Sequence, residues 1–139
     1  MKTIITTFIF LLATLIASAQ LSNGDKVFLQ FQDTDGEVNV DGNDACEMLK
    51  SYVLGKTSLN IVSNKEDSDF TFMLSVIEKN MGDRKGKIDV INSTSGKIIF
   101  ESKWKRGTIN ALYGYSSTRH AIGRVFKGQV LKEFKQIKK

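Results

Sequence analysis

Residues 68–104 read SDFTFMLSVIEKNMGDRKGKIDVINSTSGKIIFESKW. Within them Phe70, Phe72, Leu74 and Val76 alternate with Thr71, Met73, Ser75 and Ile77. An apolar residue at every second position sends one row of side chains into a core. The other row is only partly apolar, which predicts a central strand over residues 69–79, covered on one side and half-open on the other. Residues 80–86 predict a turn. Residues 87–92 and 97–104 then read as two strands joined by the tight turn 93–96, a hairpin.

Upstream, KVFLQFQ (residues 26–32) puts Val27, Leu29 and Phe31 on one side and predicts a first strand. Residues 33–43 form an acidic loop. Asp44 and Glu47 have the spacing of a capping box. Ala45, Met48, Leu49, Tyr52 and Val53 follow at helical spacing, and Gly55 is the expected stop. Residues 59–62 predict a short strand and residues 63–68 a polar loop. Downstream, residues 105–117 form a linker rich in Gly, Tyr, Ser and Thr. From Thr118 the helical period returns, with Ile122, Val125, Phe126, Val130, Phe134 and Ile137 on one stripe and Ser116 or Ser117 as cap. Gly123 and Gly128 each cost about 1 kcal/mol against Ala, so this helix must rely on packing.

The order is β-α-β-β-β-β-α. Two helices with one apolar stripe each need a cover, and a sheet supplies it on a single face. The expected architecture is α+β: a two-layer sandwich with a mostly antiparallel sheet and both helices on one face. Phe70, Phe72, Phe100, Trp104, Phe126 and Phe134 are expected in the core.

The chain has 139 residues and a formal charge of +5, with no Pro, one Cys and one His. That length suits one domain. One Cys excludes an intrachain disulfide or a Cys-rich zinc site, and one His excludes any multi-histidine metal site within the chain. Residues 1–19 follow a secretory pattern: Lys2, an apolar run over residues 4–16, then Ala17-Ser18-Ala19. The run is shorter than the ~20 residues a membrane span needs. The expectation is a signal peptide over 1–19, a single domain over 20–139, a periplasmic or secreted location and no transmembrane segment after cleavage. The cleaved chain carries 19 basic and 15 acidic residues, net +4. Cys46 would then be buried, free or paired between chains.

The motif Asp69-Phe70, Gly86-Lys87-Ile88-Asp89-Val90, Ser95-Gly96-Lys97 and Ile98-Ile99-Phe100 resembles a group of small bacterial envelope domains. The group includes the amino-terminal domain type of the Tol-system propeller protein, the curli-secretion lipoprotein and regulators of penicillin-binding proteins. The resemblance covers roughly residues 25–137 and implies a non-enzymatic domain that works through protein contacts. No Cys stands directly after the predicted cleavage site, so the lipid anchor of some of these proteins is not expected.

The stretch 33–44 (DTDGEVNVDGND) supplies Asp33, Asp35, Glu37, Asp41 and Asp44 as oxygen donors of the kind Ca²⁺ takes. Val38 stands where an EF-hand loop needs Gly, and the flanks read strand then helix. A solvated acidic loop leading into a helix cap is the competing reading. His120 is the only histidine available for general acid–base work and Cys46 the only thiol; both fall near predicted helix starts, where a thiolate is favoured. No G-x-S-x-G elbow is present. Residues 119–139 hold seven cations and one acid, net +6, whereas residues 25–47 hold seven acids and one Lys. Such asymmetry steers an anionic partner to the last helix. Tyr113 and Tyr115, in the long linker, suit adaptable contacts. The candidate binding residues are thus Tyr113, Tyr115, Arg119, His120, Arg124 and Lys127. The expected partner is an envelope protein or an anionic glycan or lipid head group. Without interleaved aromatics, nucleic acid is not expected. No cofactor is implied. The alternatives to an interaction module are a Ca²⁺ or polyanion binder and a small hydrolase dependent on His120.

Overall fold

The structure, a computed structural model, describes residues 20–34, 40–78, 83–109 and 116–139. The predicted signal segment 1–19 lies outside these residues. Among the described residues, six strands form one mixed sheet: β1 (Lys26–Phe31), β2 (Asn60–Ile61), β3 (Phe70–Glu78), β4 (Arg84–Asn92), β5 (Ile98–Glu101) and β6 (Lys105–Gly107). The order is β2-β1-β3-β4-β5, with β6 also on β4. β1 runs parallel to β2 and β3, while β4 is antiparallel to β3, β5 and β6. Helix α1 (Gly42–Lys56) carries the chain from β1 back to its parallel neighbour β2. Helix α2 (Ser117–Val125) continues through a π turn (Phe126–Val130) into the single turn α3 (Leu131–Glu133). α1 packs on β1 and α2 on β4 and β6, so both helices cover one face of the sheet, as the α+β reading expects.

The core lies between these layers. Val27, Phe72, Leu74, Ile88 and Val90 of the sheet are buried with Leu49 and Val53 of α1 and Ile122, Val125 and Phe126 of α2. The last-helix stripe is buried in full, through Val130, Phe134 and Ile137. Its continuity depends on the π turn, in which the Leu131 N–H donates to the Phe126 carbonyl. The wider turn inserts a residue and brings Val130 and Leu131 inward together.

Several boundaries differ from expectation. α1 is capped by Asp41, not by an Asp44–Glu47 box: Asp41 Oδ1 accepts from the Asn43 N–H at 2.8 Å and the Asp44 N–H at 3.2 Å. Gly55 sits inside α1, which ends instead at Thr57, where both N–H and hydroxyl donate to the Val53 carbonyl. β4 begins at Arg84, within the predicted turn. The strand expected over 97–104 stops at Glu101, where β5 ends. At the break, the Ile88 N–H donates to the Ser102 hydroxyl (2.8 Å), and Gln129 clamps the Lys103 backbone through both ends of its amide. The strand then resumes as β6, taking three residues from the predicted linker. Trp104, beside the break, is 39% exposed rather than core. The turn after β4 is held by Asn92 Oδ1, which accepts from the Thr94 and Ser95 N–H groups, and by Gly96 at φ 73°.

On the sheet face away from the helices, Asp89 lies 3.5 Å from Lys87 Nζ, which donates to Glu101 at 2.6 Å. Asp89 Oδ1 is buried without a hydrogen bond among the described residues. Burial pushes the Asp89 carboxyl above the usual aspartate range, with Glu101 adding to the rise and Lys87 opposing it. Lys87 is pushed up chiefly by its hydrogen bond to Glu101.

Candidate functional site

The site forms where α2 begins over β6. Ser116 Oγ caps α2 by accepting the Arg119 N–H at 3.1 Å. Gly107 lies directly beneath; a Cβ there would overlap the Ser117 carbonyl oxygen and the Ala121 nitrogen. Only a glycine lets the helix backbone approach the strand so closely. A second close approach joins the helices: a Cβ on Gly123 would fall 2.6 Å from the Tyr52 hydroxyl, which donates to the Arg119 carbonyl at 3.3 Å.

These contacts frame a cleft of about 890 Å³. Its walls carry Lys105 from β6 and Thr108 just beyond it, Arg119, His120 and Arg124 from α2, Lys127 and Gln129 from the π turn, and Lys132 from α3. Tyr52 reaches it from α1, and Gly123 and Gly128 leave it room. Five lysines and arginines therefore line one cleft, and no Asp or Glu does among the described residues. None of the five joins an ion pair among the described residues. Lys127 Nζ stands 5.5 Å from the Tyr52 ring centroid, a cation–π contact. Arg124 donates to the Arg106 carbonyl at 2.7 Å, which fixes its guanidinium at the strand side. Arg106 itself pairs with Asp83. The Thr108 N–H donates to His120 Nδ1 at 3.1 Å, so the neutral ring carries its proton on Nε2. Low-dielectric walls lined by one sign of charge focus the field on an anion.

Four of the six candidate binding residues (Arg119, His120, Arg124 and Lys127) come together in this cleft. Tyr113 and Tyr115 lie outside the described residues. Lys105, Lys132, Thr108 and Tyr52 were not singled out from the sequence. The excess of cations over 119–139 pointed to Lys132; nothing local pointed to Tyr52, which arrives from another helix.

Of the acidic candidates, Asp35 and Glu37 lie outside the described residues. Asp33 is exposed beyond β1, Asp41 is occupied as the α1 cap, and Asp44 is exposed in the first turn of α1. Among the described residues no three His, Cys, Asp or Glu side chains are grouped to hold a metal ion. Cys46 is half-buried in α1. Burial and the neighbouring Glu47 push its thiol up, the reverse of the thiolate expected at a helix start. No helix among the described residues is long and apolar enough to cross a membrane.

No family model matches the sequence, and no curated protein does. The structure is similar to a PelC dodecamer subunit from Paraburkholderia phytofirmans, at 15% identity over 76% of this chain and 88% of that chain, with a TM-score of 0.57. A second PelC structure from the same organism gives 13% identity, 76% and 90% coverage and a TM-score of 0.52. The LpoB C-terminal domain from Salmonella enterica gives 11% identity, 70% and 92% coverage and a TM-score of 0.49. The Tol-system and curli-secretion types named from the sequence are not among these three structures. At such low identity the likeness is one of fold, and the chain is similar in fold to PelC.

Proposed function

We propose that this chain is an exported, non-enzymatic binding module of the bacterial envelope that takes an anionic envelope component in the cleft between β6 and α2. One observation carries the reading: among the described residues, five cations and no carboxylate line a single cleft of about 890 Å³. The secretory pattern of residues 1–19 supports export.

Retention on immobilised dextran sulfate, compared with neutral dextran, tests this. The wild type is retained at low ionic strength and released as salt screens the contacts. The triple variant Arg119→Gln, Lys127→Gln, Lys132→Gln, shown folded by its melting curve, elutes at clearly lower salt. Equal retention of the two proteins would place the anion site elsewhere and end the proposal.

A further inference from the structure

We infer that the cleft is built for an extended acidic polysaccharide bearing a carboxylate on successive sugars, not for a single small anion; this rests on the cationic-cleft reading above. The cations are not gathered at one point. Arg119, Arg124, Lys127 and Lys132 follow one another along α2, the π turn and α3. At the rise of a helix the first and last stand about 20 Å apart. Lys105 adds a fifth charge from β6. An isolated phosphate or carboxylate reaches two or three such groups and leaves the others repelling one another. A strand of repeated carboxylates neutralises them in turn, each new contact being made within an already bound chain.

The remaining chemistry of the walls favours a glycan over the other linear or planar anions. The His120 Nε2–H and the Thr108 hydroxyl are neutral hydrogen-bonding groups suited to sugar hydroxyls. A bilayer surface would be met by exposed apolar side chains, but Leu54, Ile98, Trp104 and Ile109 all lie off the cleft walls. A nucleic acid strand would need open rings for its bases. Tyr52, the one phenolic or indole ring on the described walls, is covered by Lys127.

The test uses labelled oligogalacturonates of increasing length, from the monosaccharide upward, with binding followed by fluorescence anisotropy. Affinity should climb with each added sugar until the chain spans the four helical cations, then level off. Lys132→Gln, at the far end, should weaken the long oligomers about two- to five-fold, the range for one exposed ion pair. It should leave the shortest ones unchanged. A monosaccharide that binds as tightly as the long chains would overturn the extended-ligand inference while leaving an anion site in place. Vesicles of phosphatidylglycerol and phosphatidylcholine, offered at equal charge, would overturn the glycan assignment if they bound more tightly. If no oligomer binds and dextran sulfate retention is also unaffected by the triple substitution, the cleft reading itself fails.

Discussion

Gly107→Ala is the sharpest probe of how the cleft is held. The added Cβ would lie 2.9 Å from the Ala121 Cβ and would overlap the Ser117 carbonyl oxygen and the Ala121 nitrogen. Two of these three neighbours are helix backbone, so no rotamer change relieves the overlap; α2 must lift off β6. Overpacking of this kind costs about 1–3 kcal/mol, and the backbone partners put this site at the upper end, about 3 kcal/mol. For a domain of this size that corresponds to a fall in Tm of roughly 10–15 °C. Scanning calorimetry with urea titration measures it. Gly128→Ala is the internal control, because a Cβ there meets nothing within 4 Å. It should leave stability unchanged or raise it by up to about 1 kcal/mol through better helix propensity. If Gly107→Ala melts with the wild type, the close helix–strand approach does not frame the cleft as described.

Asp89→Asn should stabilise the protein near neutral pH, by less than about 1 kcal/mol, because it removes a carboxylate whose ionisation is opposed by burial while giving up its ion pair with Lys87. The folded-state pKa of Asp89 is raised, so the stability it supports is present below the unfolded value of 3.8 and is lost as pH rises through the folded value. The Tm advantage of Asp89→Asn over wild type should therefore grow with pH across that window; a constant difference would contradict it. Asp41→Ala removes the α1 cap and should cost about 1 kcal/mol in urea denaturation, with Asp44→Ala costing less. Cys46 should alkylate with iodoacetamide more slowly than a free thiol at neutral pH, and Glu47→Gln should speed the reaction by removing the second cause of its raised pKa.

What could be read from the sequence was whatever one element specifies alone. The alternation of Phe70, Phe72, Leu74 and Val76 needs only its own strand, and the stripe from Ile122 to Val130 only its own helical run; Phe134 leaves the helix, and Ile137 is buried from a separate 3-10 turn. Strand direction is different. Val27, Leu29 and Phe31 alternate identically whether β1 is parallel or antiparallel to β3, and the structure makes it parallel. Asp41 and Asp44 are equally good caps by residue type. The choice falls to Asp41 because α1 starts at Gly42, whose missing side chain leaves space for the Phe31 ring; a Cβ there would fall 2.7 Å from it. The split of the outer strand depends on Ser102 and Gln129 replacing ladder hydrogen bonds, a substitution invisible to periodicity. The same division holds at the cleft. Arg119, His120, Arg124 and Lys127 stood out as one basic run, whereas Lys105 and Tyr52 join them only through the way β6 and α1 meet α2.

The position of β1 inside the sheet has a consequence for how the protein comes to exist. A nascent polypeptide presents this strand first, yet both flanking strands follow it in the chain, and the helical segments that roof the sheet's other half are made last. Thr57 bridges to Lys138, and the Lys139 N–H donates to the Lys56 carbonyl, so the last residues of the chain also hold the end of α1. Among the described residues, the sheet core of Val27, Phe72, Leu74, Ile88 and Val90 is completed by Ile122, Val125 and Phe126 of the later segments. The described core is therefore complete only once the α2 and α3 segments are present, and the contacts that close it are long in sequence separation.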